Sequence, residues 1–410
     1  MATAESPVER KPRDLAGDLP ERLVALDVYR GLVMLLMMAE VLHLNSIYKN
    51  HFSDSPLWAF LGFHQDHVPW IGCSLHDLIQ PSFSFLVGAA LPFSLGRRKD
   101  EGEAWWMSML HAFGRAAILV LLGVFLRSFW TKSTNWTFED TLSQIGLGYG
   151  FLYLIAFAPR WAQWTALATI LIGYWLAFAW YPLPGADFDW TKTNAKPGDI
   201  GQLEGFAAHW SKNTNLAWAF DRWFLNLFPR PDGKEFLFNG GGYATLSFIP
   251  TLGTMILGLF AGQKLREDGS PSEKIRWLFV AALISLAAGW LLGAAGICPV
   301  VKRIWTPSWV LFSGGWCFLF TAAFYAVTDV GQNRGWAMPL IVIGMNSIAA
   351  YLIAHGIDRF IASALPRHFG EDVFLIAGEA LQPFLLGAAI LFCEWLILFY
   401  MYRQRIFIRI

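Results

Sequence analysis

Residues 64–94 read HQDHVPWIGCSLHDLIQPSFSFLVGAALPFS, a polar, histidine-rich segment that runs directly into an apolar one. His64, His67 and His76 are three of the nine histidines in the chain, and Asp77 lies beside them. Ionisable groups at the boundary of a bilayer are costly to hold and often mark function. Histidine also exchanges protons near neutral pH. The stretch therefore predicts a membrane helix preceded by a candidate catalytic loop, with an ordinary solvated loop as the alternative.

The composition of the whole chain is that of a membrane protein. Of its 410 residues, 55% are hydrophobic and 15% are charged, whereas a soluble domain carries about 25% charged residues. Repeated apolar runs predict an all-α, polytopic protein that is surrounded by membrane lipids. The formal net charge is zero, so nothing indicates nucleic acid as a partner.

About ten apolar segments are interpreted as transmembrane helices. They are 23–43, 77–96, 106–129, 141–158, 162–181, 245–263, 276–295, 307–328, 336–355 and 380–402. Lys and Arg are concentrated in the loops on the side of the N-terminus, which the positive-inside rule assigns to the cytoplasm. We therefore expect a cytoplasmic tail at 1–21, a transmembrane domain at 22–410 and a long outer-face loop at 182–244. Both termini would be cytoplasmic, in a bacterial inner membrane.

Polar residues near the ends of the predicted spans are further candidates for a site. Asp27 and Arg30 lie three residues apart on one helix face, either as an interfacial ion pair or as a site for an anionic cofactor. Glu40 and His43 fall near the outer end of the same span, close to the loop of His67. Three more polar residues either join helices or line a site: Arg115, Gln144 and Asn346.

His67 and Asp77 form the strongest pair. An imidazole acts as a general base or as a nucleophile, and a carboxylate beside it holds one tautomer. The neighbouring histidines do not show the stereotyped spacing of a zinc site, so we expect no metal.

Several short motifs occur in order along the chain. They are Asp27-Val-Tyr-Arg30-Gly31, His67-Val-Pro-Trp70-Ile-Gly72 with Asp77-Leu78 and Pro81, Asn215-Leu216 with Asp221-Arg222, Pro299-x-x-Lys302-x-x-Trp305-Thr306, Gly344-Met-Asn346-Ser347, and Tyr402-Arg403 with Arg405-Ile-Phe407. In order and spacing they resemble the transmembrane acetyltransferase family typified by lysosomal heparan-α-glucosaminide N-acetyltransferase. The chain departs from the family pattern at Glu40–His43, at His76, at Gln144 and at residues 239–242.

The resemblance implies that an acetyl group passes from acetyl-CoA, used from the cytoplasm, to an amine or hydroxyl of an outer-face sugar or glycan. It assigns the active-site histidine to His67, with Asp77 as its helper. The residues expected around the acceptor are Trp70, Glu40, His43, His64, His76, Asp221 and Asn346. Those expected around acetyl-CoA are Asp27, Arg30, Arg115, Gln144 and Lys302. A transporter or flippase of a small metabolite or lipid-linked sugar is the alternative function, and a homodimer is left open.

Overall fold

The chain is built from helices, as the computed structural model shows for residues 23–100, 102 and 104–408, of which 97–100 are described in backbone only. The α-helices are α1 Val24–Met38, α2 Leu44–His51, α3 Pro56–Gln65, α4 Ile79–Asp100, α5 Trp105–Ser128, α6 Thr141–Phe157, α7 Arg160–Trp180, α8 Leu216–Phe224, α9 Phe248–Arg266, α10 Pro271–Ala294, α11 Pro307–Phe324, α12 Met338–Met345, α13 Ser347–Gly356, α14 Asp358–Phe369 and α15 Gln382–Arg403. The described residues contain no β-strand, and the all-α prediction is confirmed. The predicted tail at 1–21 lies outside the described residues.

Short helices complete the architecture. The 3₁₀ helices are Ala39–Leu42, His76–Leu78, Trp190–Lys192, Gly205–Trp210, Leu225–Leu227, Thr245–Ser247, Gly335–Ala337, Glu371–Leu375 and Glu379–Leu381, and a π-helical stretch at Tyr325–Val330 extends α11.

Seven of the described helices are long and apolar enough to cross a membrane. They are His76–Gly96, Trp105–Ser128, Arg160–Trp180, Thr245–Arg266, Pro271–Ala294, Pro307–Val330 and Glu379–Arg403. The pair Gly335–Met345 and Ser347–Gly356 makes an eighth if it is one span, and it is bent by 71°. These helices identify an integral membrane protein.

The predicted count of about ten spans is not confirmed, although each of the ten predicted segments coincides with helix. Helix α1 has 15 residues and α6 has 17. Their lengths of about 22 and about 25 Å fall short of the hydrocarbon core, which is about 30 Å thick. Apolar composition predicted the ends of α6 to within one residue, but it extended the first span, 23–43, beyond the end of α1 at Met38.

Helix α9 lies at the centre of the bundle. Its most apolar window is 83% buried, whereas the corresponding windows of α7, α10 and α15 are each 22% buried. Small residues bring it against α4: a Cβ atom at Gly258 would lie 1.9 Å from the carbonyl oxygen of Phe85, and one at Gly262 would lie 2.1 Å from that of Ala89. Small residues spaced four apart allow this backbone approach in membrane bundles.

Helix α11 and its π-helical extension run the length of the bundle, and their two ends mark the two ends of the bundle. The side chain of Thr306 caps the start of α11, and the helix continues to Val330 over 24 residues, a rise of about 36 Å. Near its far end, the Asp329 carboxylate accepts hydrogen bonds of 3.0 and 2.8 Å from two backbone N–H groups at the start of α1. We call the two ends the His67 end and the Asp329 end.

The predicted long loop at 182–244 folds over the His67 end. Its Trp210 is fully buried, and the backbone carbonyl of that residue accepts a 3.0 Å hydrogen bond from Nε1 of Trp70. Trp218 is also buried, whereas Trp223 is 62% exposed. The buried tryptophans therefore pack the segment onto the protein. From the sequence alone, this role could not be distinguished from a belt of aromatic residues in the lipid interface or from a surface that stacks on sugars.

Asn346 marks the break between α12 and α13. Its Nδ2 donates a 2.9 Å hydrogen bond to the carbonyl of Ile406, and its Oδ1 accepts one of 3.2 Å from the N–H of Ile408. The preceding Gly344 packs against the backbone of Asp27 near the start of α1. Asn346, predicted to bind the acceptor, is therefore bound to the C-terminal segment at the Asp329 end.

The contact between α4 and α9 predicts a destabilising substitution. In Gly258→Ala the new methyl group must displace a backbone carbonyl, so we expect a loss of about 1–3 kcal/mol of stability. The control is Gly173→Ala on α7, where a Cβ atom would meet nothing within 4 Å. Thermal unfolding in detergent measures both. An unchanged melting temperature in Gly258→Ala would show that the bundle does not depend on this contact.

Candidate functional site

The loop that joins α3 to α4 is organised around the Asp77 carboxylate, which is only 1% exposed. Oδ2 accepts hydrogen bonds from the N–H of Val68 at 3.2 Å and of Ser74 at 3.0 Å, and from the Ser74 hydroxyl at 3.0 Å. A buried carboxylate needs such donors to offset its lost hydration. The loop is therefore folded and not simply solvated.

The other carboxylate oxygen meets two further polar side chains. Oδ1 of Asp77 lies 2.9 Å from Nδ1 of His67 and 3.3 Å from Nζ of Lys302. Nζ also lies 3.1 Å from the same imidazole nitrogen. We call this arrangement the His67 triangle. Among the described residues, Nε2 of His67 has no hydrogen-bond partner, so this nitrogen is available to a substrate.

Lys302 is supplied by a remote loop, residues 299–306, which precedes α11. The N–H of Gly72 donates a 3.1 Å hydrogen bond to a carbonyl of this loop, and the guanidinium of Arg303 donates one of 3.2 Å to the carbonyl of Val68. These bonds tie the loop to the segment of His67. They fix the position of Lys302 relative to the imidazole.

Burial changes the acid–base behaviour of Lys302, which is 4% exposed. It lowers the pKa of Lys302 to about 8, although the negative charge of Asp77 acts in the opposite direction. The lysine therefore loses its charge at a pH not far above the physiological one, lower than is usual for lysine. When charged it competes with Asp77 for Nδ1 of His67, because an ammonium group has donors only.

The His67 triangle faces a cavity of about 280 Å³, which we call the inner cavity. His67, His76, Gln80, Glu139, Tyr243 and Lys302 are among the residues that line it. The rings of His67 and His76 have their centroids 4.6 Å apart, and those of His67 and Tyr243 are 6.5 Å apart. The space is polar and aromatic, as a site that positions a substrate requires.

A second cavity of about 650 Å³, the outer cavity, adjoins the first. The two share Met37, Glu40, Arg127 and His355 in their walls. The outer cavity adds several polar or aromatic side chains: His43, Trp130, Asp140, Asp358 and Arg359. Together the two cavities provide room for more than one ligand group beside His67.

The structure gathers part of the predicted acceptor set around these cavities. Glu40 and His76 line the inner cavity, and His43 lines the outer one. His64 instead accepts a 3.1 Å hydrogen bond on Nδ1 from the N–H of Leu75, which supports the loop. Trp70 is 2% exposed beneath the long loop.

Asp221 lies apart from these cavities. It accepts a 2.9 Å hydrogen bond from the N–H of Thr245, and burial raises its pKa to about 7. Its carboxylate therefore holds the segment that leads into α9.

The five residues predicted to surround acetyl-CoA do not form one group. Asp27 and Arg30 form a 3.2 Å ion pair at the start of α1. Arg115 donates a 3.3 Å hydrogen bond to the hydroxyl of Tyr149. The Gln144 amide donates to two backbone carbonyls, at 2.7 and 3.1 Å. Lys302 belongs to the His67 triangle, so spacing along the sequence did not predict which of these positions meet.

Sequence reasoning missed several residues that line the inner cavity. Glu139 and Tyr243 face it from the segment before α6 and from the end of the long loop, and Arg127 and His355 lie where the cavities join. An acidic pair directly before an apolar helix was a usable signal for Glu139, whereas nothing local distinguishes Tyr243. Within the described part of the chain, no group of three or more His, Cys, Asp or Glu is placed to hold a metal ion.

Comparisons with known proteins agree with the motifs. Residues 22–200 match a domain of unknown function, DUF5009. The chain is 23% identical to heparan-α-glucosaminide N-acetyltransferase of Homo sapiens over 373 residues, which cover 82% of this chain and 53% of the human protein. It is 22% identical to that of Mus musculus over 429 residues, covering 95% and 60%. The chain is thus homologous to these acetyltransferases and spans somewhat over half of their length.

The hydrogen bond from Nε1 of Trp70 to the carbonyl of Trp210 predicts that its removal lowers the stability of the protein. Trp70→Phe removes the indole N–H and leaves the carbonyl of Trp210 without its donor, which should cost about 1–3 kcal/mol. The control is Trp180→Phe, since Trp180 is 77% exposed. Unfolding by denaturant in mixed micelles measures the difference. Equal stability of the two variants would contradict the role of this hydrogen bond.

Proposed function

We propose that the protein is a membrane acetyltransferase that transfers an acetyl group from acetyl-CoA to an amine or hydroxyl of a sugar or glycan. The observation that carries this proposal is the His67 triangle: an imidazole fixed by a buried carboxylate, with its free nitrogen beside a cavity. Homology to heparan-α-glucosaminide N-acetyltransferases supports the reaction class.

The His67 triangle supplies the features that acyl transfer requires. When Nδ1 of His67 carries its proton and donates it to Asp77, the lone pair of Nε2 is exposed to the cavity. Nε2 then either takes the proton of the acceptor as it attacks the thioester, or itself attacks the thioester carbon. In both routes the carbon–sulfur bond breaks and CoA leaves as its thiol or thiolate.

The two ends of the bundle suggest how donor and acceptor meet. In this proposal both termini are cytoplasmic and acetyl-CoA enters from the Asp329 end, where Arg30, paired with Asp27 at 3.2 Å, places a positive charge near its phosphates. Arg30 precedes Glu40 by ten residues, a rise of about 15 Å along a helix. The arm of CoA must cover this distance to bring its thioester to His67, while the acceptor occupies the adjoining cavities from the other side.

The broken helix at Asn346 favours a transporter as the second candidate, because transporters bind their substrates at such breaks. Here, however, the amide of Asn346 is already bonded on both its nitrogen and its oxygen by the segment after α15. Flux of an amino sugar through proteoliposomes without acetyl-CoA would favour transport over transfer.

His67→Ala should abolish transfer. Removing a general base or nucleophile lowers the rate by about 10²-fold or more, and no other imidazole nitrogen is held by Asp77 among the described residues. The assay measures thiol release from acetyl-CoA with glucosamine as the probe acceptor. The matched control is His368→Ala, because His368 is exposed on α14. Undiminished transfer in purified, folded His67→Ala would overturn the proposed function.

The charge of Lys302 predicts that the rate of acetyl transfer depends on pH. Below its pKa of about 8 the ammonium donates to Nδ1 of His67 and shifts the proton of the imidazole to Nε2, which is then blocked. The transfer rate should therefore rise from about pH 7 to about pH 9 as Lys302 loses its proton. Lys302→Met, which is neutral throughout, should lack this rise.

The control for this profile is Lys192→Met, which removes an exposed lysine paired with Asp189 at 3.3 Å. It should keep the wild-type profile. An unchanged rise in Lys302→Met would show that another group titrates.

A further inference from the structure

A two-step transfer needs a second base. If Nε2 of His67 carries the acetyl group, that nitrogen cannot also accept the proton of the incoming amine or hydroxyl. The Nδ1 atom is occupied by Asp77 and Lys302, at 2.9 and 3.1 Å. The inner cavity contains other side chains that can take the proton. This inference rests on the function proposed above and concerns how its second step proceeds.

Glu139 lies in the same cavity as His67, and its backbone is fixed by its neighbour. Oδ1 of Asp140 accepts a 2.9 Å hydrogen bond from the N–H of Leu142, which caps α6, and Oδ2 accepts one of 3.1 Å from the hydroxyl of Tyr351. Asp140 also pairs with Arg127 at 3.4 Å. Asp140 thus anchors the segment, whereas the carboxylate of Glu139 is hydrogen-bonded to its own backbone N–H and, among the described residues, to no other side chain.

The surroundings of Glu139 suit proton exchange. The charged groups that act on it are Arg127 from α5, Asp140 from its own segment and Arg230 from the long loop. Burial raises the pKa of Glu139, although the two arginines act in the opposite direction. A carboxyl group with a raised pKa holds a proton more readily at neutral pH than an exposed one, which is the property of a general base in a protein site.

The other groups of the inner cavity are less suited to this step. Glu40 is exposed. Nδ1 of His355 lies 2.8 Å from the carbonyl oxygen of Tyr351, and the ring of His76 packs at 4.6 Å against that of His67. Of the two acids that line this cavity, Glu40 and Glu139, Glu139 is the partly buried one, and its carboxylate is not hydrogen-bonded to the other side chains of the cavity.

We propose that Glu139 takes the proton of the acceptor while His67 carries the acetyl group. First, Nε2 of His67 attacks the thioester carbon, the carbon–sulfur bond breaks, and CoA leaves as a thiolate that takes a proton from water. Second, the acceptor attacks the acetyl carbon and its proton passes to Glu139. The carbon–Nε2 bond breaks, the imidazole is restored, and Glu139 returns its proton to water.

The two steps place different demands on Glu139. A thiolate leaves without an acid because a thiol has a pKa near 8.5, whereas an attacking alcohol or amine must give up a proton before the acetylated product is complete. Glu139→Gln keeps the size of the side chain and removes its basicity. It should therefore slow the second step and spare the first.

The test uses the full-length protein in nanodiscs with acetyl-CoA labelled in the acetyl group. Labelled protein is first allowed to form without acceptor, and glucosamine is then added as the probe acceptor. We expect Glu139→Gln to become labelled at a rate within about threefold of wild type, but to lose its label to glucosamine about 10²-fold more slowly. Glu204→Gln, at an exposed acid of the long loop, is the matched control and should behave as wild type.

Two results would overturn the inference. Discharge of Glu139→Gln at the wild-type rate, or equal slowing of both steps, would show that Glu139 is not the second base. Absence of labelled wild-type protein while glucosamine is still acetylated would also refute it, because His67 alone would then serve as base. That last result would leave the proposed function standing, whereas a failure of wild type to acetylate any acceptor would refute the function itself.

Discussion

The site depends on one buried negative charge, the carboxylate of Asp77. One of its oxygens accepts hydrogen bonds from two backbone N–H groups and a hydroxyl. The other lies within hydrogen-bonding or ion-pair distance of His67 and Lys302. An unpaired carboxylate at 1% exposure would be prohibitively costly. The hydrogen bonds that this carboxylate accepts also close the loop and orient the imidazole, so the loop and the His67 triangle form together.

This dependence extends to a segment far away in sequence. Lys302 reaches Asp77 because the loop before α11 is hydrogen-bonded to the loop of His67, through Gly72 and Arg303. The ammonium offsets the carboxylate, but burial weakens its own hold on the proton. Within the His67 triangle, Asp77 and Lys302 form an ion pair, and Lys302 is the partner whose charge is easily lost. Because the site is buried, each of the two charges acts strongly on the imidazole of His67.

The sequence predicted those features that depend on local pattern. Apolar runs located the helices, and the short motif from His67 to Asp77 placed two residues that do meet at 2.9 Å. It did not predict contacts that arise from packing across the bundle. Gln144 and Lys302 were grouped with Arg30 around acetyl-CoA, although they lie near the His67 end. Glu139 was overlooked because it faces the inner cavity only through the convergence of α5, α6 and the long loop. The first span was predicted at 23–43, whereas α1 ends at Met38, because hydropathy does not record where a helix stops beside a polar cavity.

The two helices that fall short of a full span, α1 and α6, and the broken pair α12 and α13 all contribute to the walls of the cavities. Met37 lies at the end of the short α1, Thr141 begins the short α6, and Tyr351 lies on α13 beyond the break. A helix that stops within the hydrocarbon layer exposes unpaired backbone groups, which lipid cannot satisfy. It is tolerated where it borders a polar cavity or another part of the protein. In this chain, helix shortening and cavity formation are thus coupled: the interrupted helices open the space beside His67, and that space makes their polar ends tolerable.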